Sequence, residues 1–248
     1  MKKKQMQKVW SIWIGVLFIM LFSCKKDETI GEIAEAQQGI DLSIAYKVDN
    51  ESLVTNHFNY ETQAGYKYSV TNLVYYLSQI SLVKSDGSNI LLKKFQYVDA
   101  TVSETNHLIL ENVPEGNYLG ITFNIGLDSL QNRSDMLPAT PENINMQWPE
   151  PMGGGYHFLR LEGHYKDSSG TFGYAMHLGT NACLIPIKMN KGIVVSANKL
   201  TSVNLVMNIN EWFRNPYTFD FNTDGNYIMG NPAAMKKIAV NGTDVFNF

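Results

Sequence analysis

The sequence predicts an all-β fold: an antiparallel β-sandwich with a long irregular loop and a short C-terminal helix. Three observations predict it. Apolar and polar residues alternate over many short stretches, as in Ile40, Leu42, Ile44, Tyr46 and Val48, which share one face of a strand. Turn residues punctuate those stretches, notably Asp86-Gly87, Pro114-Glu115-Gly116, Ser168-Ser169-Gly170 and Lys191-Gly192. Amphipathic helical patterns are almost absent and the strands are rich in Tyr, Val and Ile, which suits two packed antiparallel sheets.

In chain order, Lys2, Lys3, Lys4 and Lys8 come first, ahead of an apolar run over residues 9–22 that ends at Ser23-Cys24. A basic start, an apolar middle and a small residue before a cysteine read as an export signal, and the run is shorter than the roughly 20 apolar residues of a membrane span. Leu21-Phe22-Ser23-Cys24 resembles the lipobox of bacterial lipoproteins. The resemblance implies a signal peptide over residues 1–23, acylation of Cys24 and attachment to a membrane through that N-terminal lipid. Asp27-Glu28, after Lys25 and Lys26, resembles the export tag of some surface-exposed lipoproteins. An outer-membrane lipoprotein is therefore expected, with the periplasmic and cell-surface faces both open. Removal of residues 1–23 takes away four lysines and no acid, which moves the formal charge from −3 to −7 and argues against nucleic acid as a partner. With Cys24 acylated only Cys183 remains, and Ala182-Cys183-Leu184-Ile185 would bury it as a small hydrophobe.

Residues 24–38 carry the lipidated cysteine and a polar, acidic tether, and residues 39–248 form the β-sandwich domain. Strand patterns run over residues 40–48, 66–83, 90–99, 107–110, 116–127, 156–165, 172–178, 193–208 and 219–221. A helix is expected over residues 231–240, because Asn231 can cap it, Pro232 suits its first position and Gly242 follows its end. Residues 128–155 are the anomaly, since loops beyond about 12 to 15 residues are usually functional or disordered. Met146, Trp148 and Met152 argue against disorder, so this loop is expected to fold back over the end of the sheet.

The five histidines, His57, His107, His157, His164 and His177, show no zinc-finger spacing, and no phosphate loop, nucleophile elbow or HExxH is present. Gly153-Gly154-Gly155 precedes a strand and so offers no helix N-terminus to an anion. No nucleophile or general base can be named, and the chain is not expected to be an enzyme. Asp220, Asn222, Asp224 and Gly225 lack the terminal Glu of a calcium loop and read as a plain turn. Residues 146–163 remain, where an indole, a thioether and an imidazole surround a glycine hinge that leads into a strand. His157, Leu159 and Leu161 point one way from that strand, and Phe158, Arg160, Glu162 and His164 the other. The next strand carries His177, and register decides its face. A three-residue loop, Ser168-Ser169-Gly170, would set Asp167 against Thr171 and His177 opposite Leu161, on the face of His157 but roughly 13 Å along the strand. One ion could not join the two at that distance unless a bulge near Tyr156 or Gly179 shortened it. An odd register would instead group His177 with His164. Spacing alone thus leaves open a metal pair and two structural histidines. A metal held by two imidazoles beside Trp and Met, with no carboxylate in place, would be copper, particularly Cu(I), rather than zinc or magnesium.

Five segments in order are similar to the MbnP family of bacterial copper-binding proteins. They are Tyr68-Ser69-Val70-Thr71-Asn72-Leu73-Val74-Tyr75-Tyr76-Leu77-Ser78, Phe123-Asn124-Ile125-Gly126-Leu127-Asp128, Met146-Gln147-Trp148, Gly155-Tyr156-His157-Phe158-Leu159-Arg160-Leu161-Glu162-Gly163 and His177-Leu178-Gly179. The similarity extends from about Ile40 to Asn241-Gly242-Thr243-Asp244-Val245-Phe246. It implies a β-rich sandwich, copper held by two histidines, and a tryptophan oxidised to kynurenine, in some relatives by a partner dihaem peroxidase. On this chain the His-x-Gly motif falls on His177 and the Met-x-Trp position on Trp148, with His157 as second ligand. Trp148 is followed by Pro149-Glu150-Pro151-Met152, where many members have a second tryptophan. If the missing tryptophan is the modified one, the oxidation fails here, and Met152 and His164 are the accessory candidates. The expected function is copper acquisition or handling outside the cytoplasm. The alternatives are a structural or interaction lipoprotein on the same fold, and a glycan-binding surface with Trp148, Tyr156 and Phe158 as a stacking platform. Imidazoles within about 5 Å of each other favour copper. Opposite faces favour the structural reading, and a flat exposed indole the glycan.

Overall fold

The computed structural model describes residues 38–248, so the signal peptide expected over 1–23, the acylation expected at Cys24 and all but the last residue of the expected tether lie outside the described residues. From Gly39 the alternation becomes thirteen strands: β1 (Gly39–Val48), β2 (Glu51–Ser52), β3 (Tyr60–Glu61), β4 (Lys67–Lys84), β5 (Asn89–Asp99), β6 (His107–Glu111), β7 (Gly116–Ile125), β8 (His157–Asp167), β9 (Gly170–Gly179), β10 (Ile185–Met189), β11 (Ile193–Val195), β12 (Leu200–Asn208) and β13 (Phe246–Asn247). One sheet runs β13-β12-β1-β2, with β6 also on β1; the other runs β10-β7-β4-β8-β9, with β3 and β5 on β4 and β11 on β7. The fold is the expected all-β sandwich. One pairing departs from the antiparallel rule, because β1 and β12 run parallel from Gly39↔Leu200 to Lys47↔Asn208.

β4 organises the second sheet. Its sequence reads as a nearly continuous apolar run because both of its faces are buried along most of its length. Val74 and Tyr75 pair with β5 on one edge and with β8 on the other, while residues from Leu77 onward pair with β5 and β7. β7 and β8 therefore follow one another along the same edge of β4. The two sheets meet through Phe246 of β13, whose ring lies 5.1 Å from Phe123 of β7 and 6.5 Å from Tyr75 of β4. A partly buried 2.9 Å hydrogen bond joins the hydroxyls of Tyr46 on β1 and Tyr75.

Three expectations for single elements are corrected. The pattern over 193–208 divides into β11 and β12, and residues 219–221 are not a strand: Phe221 stacks on Tyr174 at 5.0 Å and meets Phe213 at 5.3 Å. β10, with Ile185, Ile187 and Met189 inward, had not been expected as a strand. Its Pro186 is tolerated because β10 pairs with β7 alone. The C-terminal helix forms over Pro232–Asn241, and the Asn231 side chain accepts from the Ala234 amide at its N-terminus. Asn231→Ala should therefore lower stability by about 1 kcal/mol in a urea melt; an unchanged midpoint would mean that this cap is not holding the helix end.

Candidate metal centre

The hairpin β8–β9 closes on a two-residue loop. Asp167 pairs with Gly170, and the Asp167 carboxylate accepts from the Ser169 amide at 2.7 Å, the Ser169 hydroxyl at 2.6 Å and the Gly170 amide at 3.1 Å. This corrects the three-residue loop expected from sequence. The register moves by one, so His177 stands opposite Arg160 rather than Leu161, on the face of Glu162 and His164. That shift alone would leave His157 on the other side. A bulge reverses it: His157 pairs with Gly179 and Leu159 with Leu178, which leaves Phe158 as an extra residue and turns His157 to the side of His177. The Phe158 ring sits against Gly126, where a Cβ would lie 2.3 Å from ring carbon Cδ2, and the Met146 carbonyl accepts from the His157 amide at 2.6 Å. The two imidazoles consequently stand 5.1 Å apart between ring centres, with planes at 88°, in place of the roughly 13 Å expected. That is within the ~6 Å that two metal–nitrogen bonds of ~2 Å and the ring radii would span.

The long loop supplies the third ring. Its helix α1 (Pro141–Asn145) is capped by Thr140 and held by the Tyr76 hydroxyl, which donates to Asn143 at 2.6 Å. Beyond α1, the Trp148 amide donates to the Gly155 carbonyl at 2.9 Å, bringing Trp148 back over the start of β8. The indole lies 4.8 Å from the His157 ring at 66°, and its Nε1 donates to the Met152 carbonyl at 3.2 Å. Gly179 makes the room, since a Cβ there would stand 2.3 Å from Trp148 Cε3. Trp148, Tyr156 and Phe158 are 2%, 1% and 0% exposed, so they offer no stacking platform to a glycan.

Each imidazole is held by one nitrogen. His157 Nδ1 donates to the Met146 carbonyl at 3.2 Å, and His177 Nε2 donates to Glu162 Oε1 at 2.7 Å. Arg160 donates to the same Glu162 oxygen through Nε at 3.1 Å and Nη2 at 2.9 Å, and Asn72 Nδ2 donates to Oε2 at 3.3 Å. Burial pushes the His157 pKa down to about 4, with the His177 ring adding to the effect, so this imidazole is neutral at pH 7. The hydrogen bond from His177 and, behind it, Arg160 hold the Glu162 carboxyl down to about 2 against its partial burial. The expectation of no carboxylate beside the histidines is thus corrected, although Glu162 occupies the outer nitrogen of His177. Among the described residues no three His, Cys, Asp or Glu side chains gather as a metal-holding group.

Not every sequence candidate joins the pair. His164 is exposed opposite Gly173, and its ring lies 6.4 Å from Phe58. Met152 lines a cavity of about 270 Å³ with Trp148, Cys183 and Met235, and gives the indole its backbone carbonyl. Cys183 is buried, as its apolar run implies, and burial raises its thiol pKa. In the acidic turn the Asp220 carboxylate accepts from Tyr66 and from the Asn222 and Thr223 amides, and Asp224 pairs with Lys237. Sequence reasoning missed Glu162 and Arg160 as partners of His177. The signal was their alternation along β8, readable only with the right register.

Fold and site together define a β-sandwich protein with one buried and one partly buried imidazole packed beside a buried indole. The chain belongs to the MbnP family, whose model matches residues 37–230. Among solved structures, MbnP from Methylosinus trichosporium shares the fold at a TM-score of 0.51 and 10% identity, over 74% of this chain and 80% of that one. No curated protein matches the chain.

Proposed function

We propose that the protein binds a copper ion as cargo through His157 and His177, outside the cytoplasm and anchored through Cys24, for copper acquisition or handling. The observation that carries this reading is that the two rings face each other at 5.1 Å while one nitrogen of each meets a protein acceptor on the outer side. The hydrogen bond to the Met146 carbonyl leaves His157 Nε2, and the bond to Glu162 leaves His177 Nδ1. Metal-binding histidines are typically oriented in this way, by a backbone carbonyl or a carboxylate on the far nitrogen. The low pKa of His157 removes proton competition at that ring near neutrality. Two imidazoles beside a buried indole, with Glu162 occupied elsewhere, suit Cu(I) better than zinc, which collects four ligands. Membership of a family associated with copper supports the same reading.

The test is copper stoichiometry and affinity for wild type, His157→Ala and His177→Ala, under reducing and oxidising conditions. One equivalent is expected for wild type, tighter when reduced, with affinity lower by at least ~100-fold in each variant. No binding, or binding unchanged in both variants, would overturn the reading and leave two hydrogen-bonded structural histidines.

A further inference from the structure

We infer that Arg160 is the positioning residue of the imidazole pair, a single guanidinium that fixes the acceptors of both rings. Its N–H groups go to two different acceptors. Nε and Nη2 hold Glu162 Oε1, the acceptor of His177 Nε2. Nη1 donates to the Asn145 carbonyl at 3.3 Å, at the end of α1, and the next carbonyl along the chain, Met146 O, accepts from both the amide and Nδ1 of His157. The path from one ring to the other is thus His177, Glu162, Arg160, the Asn145–Met146 backbone and His157, and every link but the peptide is a hydrogen bond.

The chemistry explains why this position holds arginine. Carbonyls at a helix end lack partners within the helix and need a donor from outside, while the carboxylate needs donors on the side away from His177. A planar fork of five N–H groups can serve both at once, and a lysine ammonium at the end of one flexible stem cannot. Asn72 gives Glu162 a second hold, but on the other oxygen, at 3.3 Å. Arg160 is 28% exposed and Glu162 25%, so the clamp forms the rim of the site rather than its floor.

The ring placement is read without metal, and only the consequence for affinity rests on the copper reading. The experiment is ¹⁵N NMR of the histidine side chains in the metal-free full-length chain at neutral pH, for wild type, Arg160→Gln and Arg160→Lys, followed by copper titration of each. Wild type should show His157 protonated on Nδ1 and His177 on Nε2. Arg160→Gln should move both rings toward the mixed tautomers of a free imidazole and weaken copper by about 10- to 100-fold at unchanged stoichiometry. Arg160→Lys keeps the charge but reaches one acceptor, so at most one ring should stay fixed. Wild-type tautomers for both rings in Arg160→Gln overturn the inference. If that variant does not fold, wild-type tautomers for both rings in Arg160→Lys overturn it equally, because charge alone would then suffice. Shifted tautomers in a protein that binds no copper even as wild type uphold the clamp and sink the copper reading.

Discussion

Gly179→Ala is expected to cost about 3–5 kcal/mol of stability and to unseat the indole, although it adds a single methyl group. The added Cβ would lie 2.3, 2.6 and 2.7 Å from three carbons of Trp148. An aromatic ring cannot flex away from such a contact as the end of a lysine could. The indole is also tied by its Nε1 to the Met152 carbonyl and by its backbone amide to Gly155, with the His157 ring against it. Overpacking typically costs 1–3 kcal/mol, and loss of a buried aromatic from its seat approaches the ~3–5 kcal/mol of a Trp→Ala truncation. The check is a double-mutant cycle in denaturant melts. Gly179→Ala on a Trp148→Ala background should cost almost nothing, because the ring it strikes is gone. Costs that simply add would show that Gly179 matters for some reason other than the indole.

Acid should weaken the metal-free protein in two separable stages. An unfolded His157 takes up its proton near the ordinary value of 6.5, and the folded one only near 4. Between those values the unfolded state holds the extra proton, so stability falls as pH falls from about 6.5 to about 4, and this contribution then levels off. At 1.36 kcal/mol per unit, the full drop is about 3 kcal/mol. Glu162 adds a second stage, since its carboxyl is ordinarily protonated near 4.5 and in the fold only near 2, so its contribution is lost as pH falls through that lower window. Urea melts at half-unit intervals should show both stages in wild type. His157→Gln should flatten the first and keep the second. An equal slope between pH 6.5 and 4 in both proteins would place the proton uptake on another group.

The strands and the site were legible to different degrees, for physical reasons. Alternation revealed most of the strands because most bury one side only, β4 with both faces covered being the exception, and Asn231 with Pro232 marked the helix start through capping chemistry that is local. Pairing partners were not legible: nothing in β1 or β12 announces that they run parallel, since that choice is made by contacts far apart in sequence. For the hairpin the local signal existed and was misread. Asp167 and Gly170 stand at the first and fourth positions favoured in a four-residue turn, and the Asp167 carboxylate binds the turn amides accordingly. The bulge at Phe158 left no mark in the pattern because His157, Phe158 and Leu159 are all buried. Resemblance named the two histidines together, and the bulge sets their rings 5.1 Å apart, whereas a strict two-residue period would have kept them on opposite faces.

The shared edge of β4 also bears on how this architecture can vary. Leu77 pairs with Ile125 where β7 ends, and Tyr75 pairs with Leu159 where β8 first meets β4, so the chain leaves and rejoins β4 two residues apart. Everything between, including α1, Met146 and Trp148, is an excursion that begins and ends at nearly the same point. Lengthening such an excursion costs little, about 0.6 kcal/mol for each doubling of a flexible loop. His177 belongs to the framework and Trp148 to the excursion, so the length of the segment that carries the indole is not set by the pairing of β7 or β8 with β4. The imidazole of His177 and the indole of Trp148 thus come from parts of the chain under different geometric constraint, one on a paired strand and the other on a connection.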